Sequence, residues 1–196
     1  MVFNVWRRNI SFSYVYWIFN RVDKKRINEV GRDIACAEWL LRNSAYVRFK
    51  GRPKLVTGYY EIPTGRDLRL SEIHAVNSGI TIDGFPYLKG LEAVEKIFLI
   101  NSKMIDNNCI DSLKFISASL KHVEIERCPD VTSKGVLSLA RLKNLKYLRL
   151  HKLEGVTSEE WTQLKDNSKK VFPNVETVFD AAKHIEAENA LPPPGT

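Results

Sequence analysis

The chain has 196 residues, of which 44% are hydrophobic and 27% are charged, as in ordinary globular proteins. This apolar content can form a sizeable core, so it excludes a wholly disordered chain. Apolar runs stay far below the roughly 18 residues that a membrane-spanning helix needs, so the sequence predicts no anchor of that kind.

Almost all of the net positive charge lies in the N-terminal third. The whole chain carries 30 Lys and Arg against 23 Asp and Glu, a net charge of +7. Residues 1–60 hold 12 basic against 4 acidic residues, whereas residues 61–196 hold 18 against 19. We therefore expect the two parts of the chain to have different roles.

The first residues have the composition of a mitochondrial transit peptide. Before Asp23 there are three arginines, Arg7, Arg8 and Arg21, together with serines and aromatic rings, and no acidic residue. A secretory signal fits less well, because Tyr and Trp interrupt the apolar stretch and no small-residue cleavage site follows. We predict a transit segment over residues 1–20; the alternative is an aromatic arm that packs on the body of the protein.

Residues 21–68 are predicted to form a small helical domain that ends in a short strand. Asp23 is a suitable N-cap for a first helix, and Gly31 ends that helix. Asp33 is expected to cap a second helix, which ends near residues 43–44. Apolar residues recur on one face of each helix, so both helices are expected to pack against a core.

A short strand over Tyr46–Phe49 opens a basic run in which cations alternate with other residues: Arg48, Lys50, Arg52 and Lys54. On an extended chain, alternate side chains lie on one side. Such a side would suit phosphates or anionic lipid headgroups, but it would equally protect an exposed strand edge from aggregation. Both interpretations stay open. No recognition motif accompanies the charge, so a nucleic-acid partner is not expected.

Residues 69–180 contain an internal repeat with the apolar spacing L-x-x-L-x-L. Three clear copies begin at Val94, Leu120 and Leu145, which are 26 and 25 residues apart. A degenerate copy precedes them at Leu70, and a frayed last copy begins with Val175-x-x-Val178. This is the pattern of leucine-rich repeats, in which each unit supplies one strand of a parallel sheet and one helix.

The fold class predicted from these elements is α/β. We expect a short leucine-rich-repeat solenoid of parallel strands and helices, with about four repeats, over residues 69–180. The helical domain over residues 21–68 would cap its N-terminal end. Residues 181–196, which end in Leu-Pro-Pro-Pro-Gly-Thr, are predicted to form a weakly ordered tail.

The repeat also predicts which side chains point away from the core, on the concave face of the sheet. Alternate residues of each strand share that face, and the copies align them into three rows across the strands. The rows are Glu72, Lys96, His122 and Tyr147; His74, Phe98, Glu124 and Arg149; and Val76, Ile100, Glu126 and His151.

Two kinds of contact are expected on this face. Glu124 faces Arg149, and Glu126 faces His151, which predicts two cross-strand ion pairs. The outward apolar residues form a mixed patch that suits a protein partner. The predicted partner-binding residues are His74, Phe98, Ile100, His122, Glu124, Glu126, Tyr147, Arg149 and His151.

No pattern typical of a catalytic site is present in the sequence. The three cysteines, Cys36, Cys109 and Cys128, form no C-x-x-C pair and are expected to be reduced core residues. There is no nucleophile with a recognisable base, no glycine-rich phosphate loop and no pair of catalytic carboxylates. We therefore predict that the protein is not an enzyme.

Three longer runs are more specific than the repeat pattern. They are Val22-Asp23-x-x-Arg26-Ile27-x-x-Val30-Gly31-x-Asp33-x-Ala35-x-x-Glu38-Trp39-Leu40-Leu41-Arg42, Gly90-Leu91-Glu92-x-Val94-Glu95-Lys96-Ile97, and Leu142-x-Asn144-Leu145-Lys146-Tyr147-Leu148. Together they resemble the family of mitochondrial ATP synthase subunit s, also called coupling factor B. The similarity covers about residues 16–155. A sister branch of this family assists assembly of the distal membrane arm of respiratory complex I.

The resemblance implies a function as well as a fold. It implies a peripheral, non-enzymatic protein on the matrix side of the inner membrane, which docks on ATP synthase and supports coupling of proton flow through Fo to ATP synthesis. The alternative that it implies is an assembly factor bound to a complex I assembly intermediate. A basic surface would suit the anionic lipid of that membrane.

The resemblance also implies two sites, and this sequence departs from the family at both. A magnesium ion would lie between the N-terminal domain and the first repeat, at positions that fall on Ser44 and Val76. The family has Gly and Thr there, and Val76 offers only its backbone oxygen. A thiol pair spaced C-x-C, tied to coupling in the family, falls on Ile100 and Ser102, so this chain lacks those thiols.

Overall fold

A computed structural model describes residues 12–65 and 67–179, with only the backbone given for Phe12 and Ser13. The first part of the predicted transit segment, residues 1–11, and the predicted tail, residues 181–196, lie outside the described residues. Within the described part, no helix combines the length and the apolar character needed to cross a membrane.

One six-stranded sheet organises the molecule, and its strands lie side by side in chain order. The first strand is antiparallel to the second, and all later neighbours are parallel. The predicted α/β class with a parallel sheet is therefore confirmed. The strands are β1 (Tyr46–Phe49), β2 (Leu70–Val76), β3 (Lys96–Ile100), β4 (His122–Glu126), β5 (Tyr147–His151) and β6 (Glu176–Phe179).

Three helices precede the sheet: α1 (Phe12–Asn20), α2 (Lys24–Val30) and α3 (Arg32–Arg42). The Asp23 side chain caps α2 as predicted, because it accepts a hydrogen bond from the Arg26 amide at 2.9 Å. The predicted cap of α3 is wrong. Gly31 is the N-cap, and Asp33 lies within the first turn, where its carboxylate instead accepts the Leu70 amide at 2.7 Å. Asp33 thus joins α3 to the start of β2.

Short helices lie in the connections between the strands. The α-helices are α4 (Asn107–Asp111), α5 (Ser133–Ser138), α6 (Ser158–Asp166) and α7 (Ser168–Val171), and the 3-10 helices cover Tyr59–Glu61, Ile82–Leu88, Ser112–Ile116 and Leu139–Arg141. The core lies between these helices and one face of the sheet. Its strand residues, each at most 1% exposed, are Val47, Phe49, Leu70, Ile73, Ala75, Ile97, Leu99, Val123, Ile125, Leu148 and Leu150.

The same local structure recurs after each of β2 to β5. The next residue has a left-handed backbone in every case: Asn77, Asn101, Arg127 and Lys152. The residue after it is buried in each case, and in two of the four turns its side chain bonds to the strand one repeat earlier. Ser102 Oγ donates to the Ala75 carbonyl at 3.0 Å, and Cys128 Sγ donates to the Leu99 carbonyl at 3.4 Å. The sequence repeat therefore has a matching structural repeat.

The frayed last copy is one residue out of the predicted register. The spacing aligned Val178 with Leu148, but in the sheet Val178 pairs with Arg149, while Thr177 pairs with Leu148. A shift of one residue moves a strand side chain to the other face of the sheet. The shift places Phe179 next to Leu150 in the register, and its ring meets that of Trp161 edge to face at 6.0 Å.

Candidate functional site: the open face of the sheet

The register of the sheet produces the three rows that the repeat predicted. The first row is Glu72, Lys96, His122 and Tyr147, the second is His74, Phe98, Glu124 and Arg149, and the third is Val76, Ile100, Glu126 and His151. We call these residues the open face, because they alternate with the core residues of the same strands. Neighbours within a row lie on adjacent strands, about 4.8 Å apart.

Four aromatic rings form a continuous stack across β2 to β5. His74 stacks on Phe98 with ring centres 4.4 Å apart, and His122 stacks on Tyr147 at the same distance. Phe98 and His122 join the two pairs at 5.3 Å, where the rings tilt by 46°. The tilt coincides with a change of row, since His74 and Phe98 belong to the second row and His122 and Tyr147 to the first. Stacked rings hold one another in place, so this strip is a preformed surface.

Glu124 is the centre of one polar cluster on the open face. It is only 9% exposed, and its carboxylate lies 2.6 Å from His122 Nε2 and 3.0 Å from Arg149 Nη1. Burial raises the pKa of Glu124, but hydrogen bonds from His122 and Arg149 outweigh it, so the pKa lies below its usual value. The predicted pair between Glu124 and Arg149 is confirmed.

Glu72 is the centre of a second cluster, at the β1 side. Its carboxylate accepts Arg48 Nε at 2.9 Å and Lys96 Nζ at 3.1 Å, and it lies 3.1 Å from His74 Nε2. Burial raises the pKa of Glu72, whereas these partners, His74 first, lower it to a net value below the usual one. Burial also lowers the pKa of His74. The carboxylate of Glu72 is therefore paired within the protein, by two cations.

The predicted ion pair between Glu126 and His151 is wrong. The two residues are register partners, but the contacts of Glu126 are with guanidinium groups, Arg127 at 3.4 Å and Arg149 at 3.8 Å. His151 is only 7% exposed, and its Nδ1 has no hydrogen-bond partner among the described residues. Arg149 lies opposite Glu124 in the second row and also reaches Glu126 in the third row, so it takes the contact that the spacing assigned to His151.

The remaining outward residues of the open face are apolar. Val76, Ile100 and Phe98 are half-buried, as is Tyr147 at the end of the aromatic stack. They lie next to the Glu72 and Glu124 clusters, whose carboxylates form ion pairs within the protein. The open face thus combines an apolar strip with fixed ion pairs, a composition found at protein interfaces. It brings together all nine predicted partner-binding residues.

The basic run does not share one side of a strand. β1 ends at Phe49, and the chain reverses in a turn closed by the Arg52 amide and the Phe49 carbonyl, with Gly51 left-handed. Of the four cations, Arg48 binds Glu72. Lys54 binds Glu61 at 2.7 Å. Hydrogen bonds from Lys54 and Thr57 lower the pKa of Glu61 to about 2.

Lys50 and Arg52 are exposed at this turn. The expectation of one cationic side formed by Arg48, Lys50, Arg52 and Lys54 therefore fails. The physical reason is that the strand is only four residues long. Reversal at the turn gives the later side chains new directions and new partners.

The cysteines are buried, and none has a low pKa. Burial raises the pKa of the Cys128 thiol to about 11, and it also raises the pKa values of Cys36 and Cys109. All three are free thiols in the core. These raised pKa values disfavour thiolate chemistry at the three cysteines. Residues 12–65 and 67–179 also contain no group of three or more His, Cys, Asp or Glu residues placed to hold a metal ion.

A buried polar node at Asn20 was not predicted from the sequence. Asn20 is fully buried, and its Oδ1 accepts Trp39 Nε1 at 3.0 Å and the Thr81 amide at 2.9 Å. Its Nδ2 donates to Asn43 Oδ1 at 3.1 Å and to the Gly79 carbonyl at 3.0 Å. A single Asn after an apolar run is an ordinary sequence feature, so no local signal marked it. This node fixes the end of α1 to α3 and to the segment after β2.

Comparison with known proteins identifies the family. Proteins named "ATP synthase subunit s, mitochondrial" align with most of this chain. The protein of Rattus norvegicus is 40% identical over 164 residues, which are 81% of each chain. That of Bos taurus is 36% identical over 182 residues, 89% of this chain and 90% of its own. That of Homo sapiens is 38% identical over 164 residues. This chain belongs to the ATP synthase subunit s family. No protein-family model matches it.

Two positions tied to the subunit s family by resemblance can now be placed. Ser44 follows the C-cap of α3, and Val76 ends β2. Because β1 runs antiparallel to β2, both positions lie at the same end of these strands. They supply one side-chain oxygen, the exposed Ser44 hydroxyl, so Mg²⁺ at this place would depend on backbone carbonyls and water. This donor set is a poor fit for a dedicated magnesium site.

The positions of the subunit s thiol pair have a structural role in this chain. Ile100 belongs to the open face, whereas Ser102 is fully buried behind the left-handed residue Asn101. Ser102 Oγ lies 2.9 Å from Ser78 Oγ, its equivalent in the preceding repeat. A disulfide between the two positions is impossible here because neither residue is cysteine.

Proposed function

We propose that this protein is a non-enzymatic, peripheral mitochondrial protein that docks on ATP synthase. The observation that carries the proposal is family membership over most of the chain, with relatives named as a subunit of mitochondrial ATP synthase. The open face supports it, since its carboxylates are engaged in ion pairs and the outward residues beside them are apolar and half-buried. Such a surface suits binding better than catalysis.

We also propose that the fold is a leucine-rich-repeat solenoid. The support is the recurrence, in successive units, of a parallel strand, a left-handed residue and a buried residue after it, which in two units also bonds to the strand one repeat earlier. Repeats of this kind bury a continuous core by stacking and leave one long sheet face for binding. In this proposal the units begin at Leu70, Val94, Leu120 and Leu145.

The docking surface in this proposal is the open face. Its aromatic strip is fixed by stacking, so little side-chain entropy is lost when a partner covers it. The half-buried apolar residues Phe98 and Ile100 lie at its middle and would form the central contact. The ion pairs around Glu72 and Glu124 would surround that contact and orient the partner.

A role in supporting or regulating proton conduction through Fo, from the matrix side of the inner membrane, is the finer form of the proposal. This chain has Ile100 and Ser102 where the resemblance places the thiol pair. Any effect on coupling would therefore come from docking and not from thiol chemistry at those two positions. Anionic lipid contact through Lys50 and Arg52 is a further part of the proposal, because both cations are exposed.

The missing thiol pair is also the observation that favours a second candidate function. An assembly factor for the membrane arm of respiratory complex I would bind an assembly intermediate through the same open face. It would need no thiol at Ile100 or Ser102. The two candidates differ in one respect that can be measured, which is the complex with which the protein migrates.

The test is affinity capture of the tagged full chain from mitochondria solubilised in mild detergent, followed by native electrophoresis and mass spectrometry. We expect the chain to migrate with ATP synthase. The variant Phe98→Ala/Ile100→Ala should lose that association, whereas Leu137→Ala, an exposed apolar residue outside the open face, should keep it. Migration only with partial complex I assemblies would establish the second candidate instead.

Magnesium binding near Ser44 and Val76 stays a separate prediction from the resemblance. Titration calorimetry of the purified chain with MgCl₂ tests it directly. Because the Ser44 hydroxyl is the single side-chain oxygen of the pair, the variant Ser44→Ala is the matched comparison. Equal heats in the two proteins would show that this hydroxyl is not a ligand.

A further inference from the structure

The exposed apolar side chains of α1 form the least explained surface of the molecule. Tyr14 is 52% exposed and Trp17 is 44% exposed. Half of the large apolar side chains that are exposed in the described residues belong to this one helix. They are Tyr14, Tyr16, Trp17, Ile18 and Phe19. A cluster of this kind marks an interaction site rather than ordinary surface.

These side chains include one defined stripe. Tyr14, Trp17, Ile18 and Arg21 follow the i, i+3, i+4, i+7 spacing of a helix face. The rings of Tyr14 and Trp17 stack 5.9 Å apart, and the Arg21 guanidinium lies over the Trp17 ring at 5.5 Å. The stripe is therefore apolar along its length and cationic at its C-terminal end.

The helix that carries the stripe is fixed to the core at that same end. Asn20 holds Trp39 and the Thr81 amide, and Asn43 Nδ2 donates to the Phe19 carbonyl at 3.1 Å. Loss of Asn20 would leave the buried Trp39 and Thr81 donors without partners. Tyr16 also packs closely over Gly79, where an added Cβ atom would lie 3.0 Å from the Tyr16 ring. These contacts make α1 part of the folded protein rather than a removable extension.

We infer that α1 stays in the mature protein and that its stripe lies in the headgroup region of an anionic lipid bilayer. Tyr and Trp rings prefer this region because one end of each ring is apolar and the other is polar. A nine-residue helix is about 14 Å long, too short to cross a bilayer, so it lies along the surface.

The charge around the stripe selects anionic lipid over other occupants. Arg21, Lys24 and Lys25 are exposed beside it, and no acidic residue precedes Asp23 in the chain. Each cation near an anionic surface adds to the attraction. The exposed carboxylate of Asp23 accepts the Arg26 amide as the cap of α2, and within residues 21–25 its single negative charge stands against three cations. A neutral apolar protein groove would gain nothing from these cations.

The test is flotation of the purified full chain with vesicles of phosphatidylcholine that contain phosphatidylglycerol, compared with phosphatidylcholine alone. We expect binding only to the anionic vesicles, and at least about tenfold weaker binding for Trp17→Ser/Ile18→Ser. The matched control Tyr60→Ser/Leu137→Ser removes two exposed apolar side chains elsewhere and should bind as the parent does. Equal thermal midpoints would confirm that all variants are folded.

Several outcomes would overturn the inference. Undiminished vesicle binding of Trp17→Ser/Ile18→Ser would do so, and so would a loss of binding confined to Lys50→Glu/Arg52→Glu, which would assign the lipid contact to the turn after β1. Loss of co-migration with ATP synthase by Trp17→Ser/Ile18→Ser, with vesicle binding intact, would assign the stripe to a protein. A mature chain that begins after Asn20, measured by mass spectrometry of protein from mitochondria, would also refute it.

The vesicle assay contains no protein partner, so its result is independent of the proposed docking on ATP synthase. Failure of co-migration with ATP synthase would leave the assignment of α1 standing. Failure of vesicle binding would likewise leave the open face as the proposed docking surface. The two proposals can therefore be refuted separately.

Discussion

Glu124 shows how single residues stabilise the open face. Its carboxylate is nearly buried and yet ionised, because His122 and Arg149 both contact it. Arg149 is equally enclosed and reaches Glu126 as well. Replacing Arg149 would leave two carboxylates of β4, Glu124 and Glu126, without their shared cation. A substitution at Arg149 is therefore expected to change stability as well as binding. A substitution at Phe98 breaks no ion pair, so its effect on binding is easier to interpret.

The pH dependence of Glu124→Gln follows from the lowered pKa of this carboxyl. A group whose folded-state pKa is lowered adds stability above its unfolded pKa, and the contribution disappears as the pH falls through the folded value. We expect Glu124→Gln to lose about 1 to 3 kcal/mol at pH 7 and progressively less in acid. Urea unfolding from pH 7 to pH 3 measures this. The exposed control Glu154→Gln should show no such trend, and a loss that is constant with pH would contradict the assignment.

Asn20 gives a second prediction at the residue scale. Asn20→Ala removes the acceptor for two buried donors, Trp39 Nε1 and the Thr81 amide, so we expect a loss of about 2 kcal/mol or more in unfolding free energy. The same substitution at Asn28, which is exposed in α2, is the control. Equal stability of the two variants in chemical denaturation would show that water replaces the Asn20 contacts.

At the scale of elements, the contact between α3 and the 3-10 helix Ile82–Leu88 joins the helical part to the sheet. The Trp39 indole stacks on Tyr87 with ring centres 5.5 Å apart and meets Phe85 edge to face at 6.1 Å. The backbone of Gly84 comes against the same indole so closely that a Cβ atom would overlap it. A glycine is needed at this point because of close approach and not because of backbone conformation.

Gly84→Ala tests this contact. The added methyl group must displace a buried indole that is hydrogen-bonded to Asn20, so we expect a loss of about 1 to 3 kcal/mol. Gly58→Ala is the control, since a Cβ atom there meets no atom within 4 Å. Thermal unfolding of both variants gives the comparison. A midpoint for Gly84→Ala equal to that of the parent would mean that α3 shifts freely against the 3-10 helix.

At the scale of the whole molecule, the two edge strands of the sheet, β1 and β6, differ in their contacts and burial. At one edge, β1 runs antiparallel against β2, and its side chains contribute to the Glu72 cluster. At the other edge, β6 is short, and its four residues are all exposed or half-buried. The central strands β3 and β4 are paired on both sides and form the middle of the core.

This asymmetry predicts a gradient of local stability. Amide hydrogens of β4 should exchange most slowly and those of β6 much faster, because opening β6 exposes little apolar surface and breaks contacts with one neighbour only. Hydrogen exchange followed by mass spectrometry of the full chain measures this order. Protection of β6 equal to that of β4 would indicate that another part of the protein covers this edge.

The rows of the open face could be predicted because repeat spacing fixes strand register. The same reasoning failed where a local contact competed with the repeat. Asp33 accepts the Leu70 amide and does not cap α3. Arg149, and not His151, contacts Glu126. The pairing of β6 with β5 is shifted by one residue from the predicted register. The basic run failed for a related reason, since the turn at Gly51 depends on pairing of Val47 with Val56 across the chain reversal.

By itself, the sequence determined the parallel sheet, the residues of its core and the three rows of outward side chains. It did so because a period of about 25 residues leaves few ways to stack the units. The pair between Glu124 and Arg149 followed from the strand register, but only the tertiary structure decided that Arg149 and not His151 contacts Glu126. It alone located the Asn20 node and the exposed stripe of α1. Those features depend on contacts between residues far apart in the chain, and their side-chain directions are set by packing and not by local sequence.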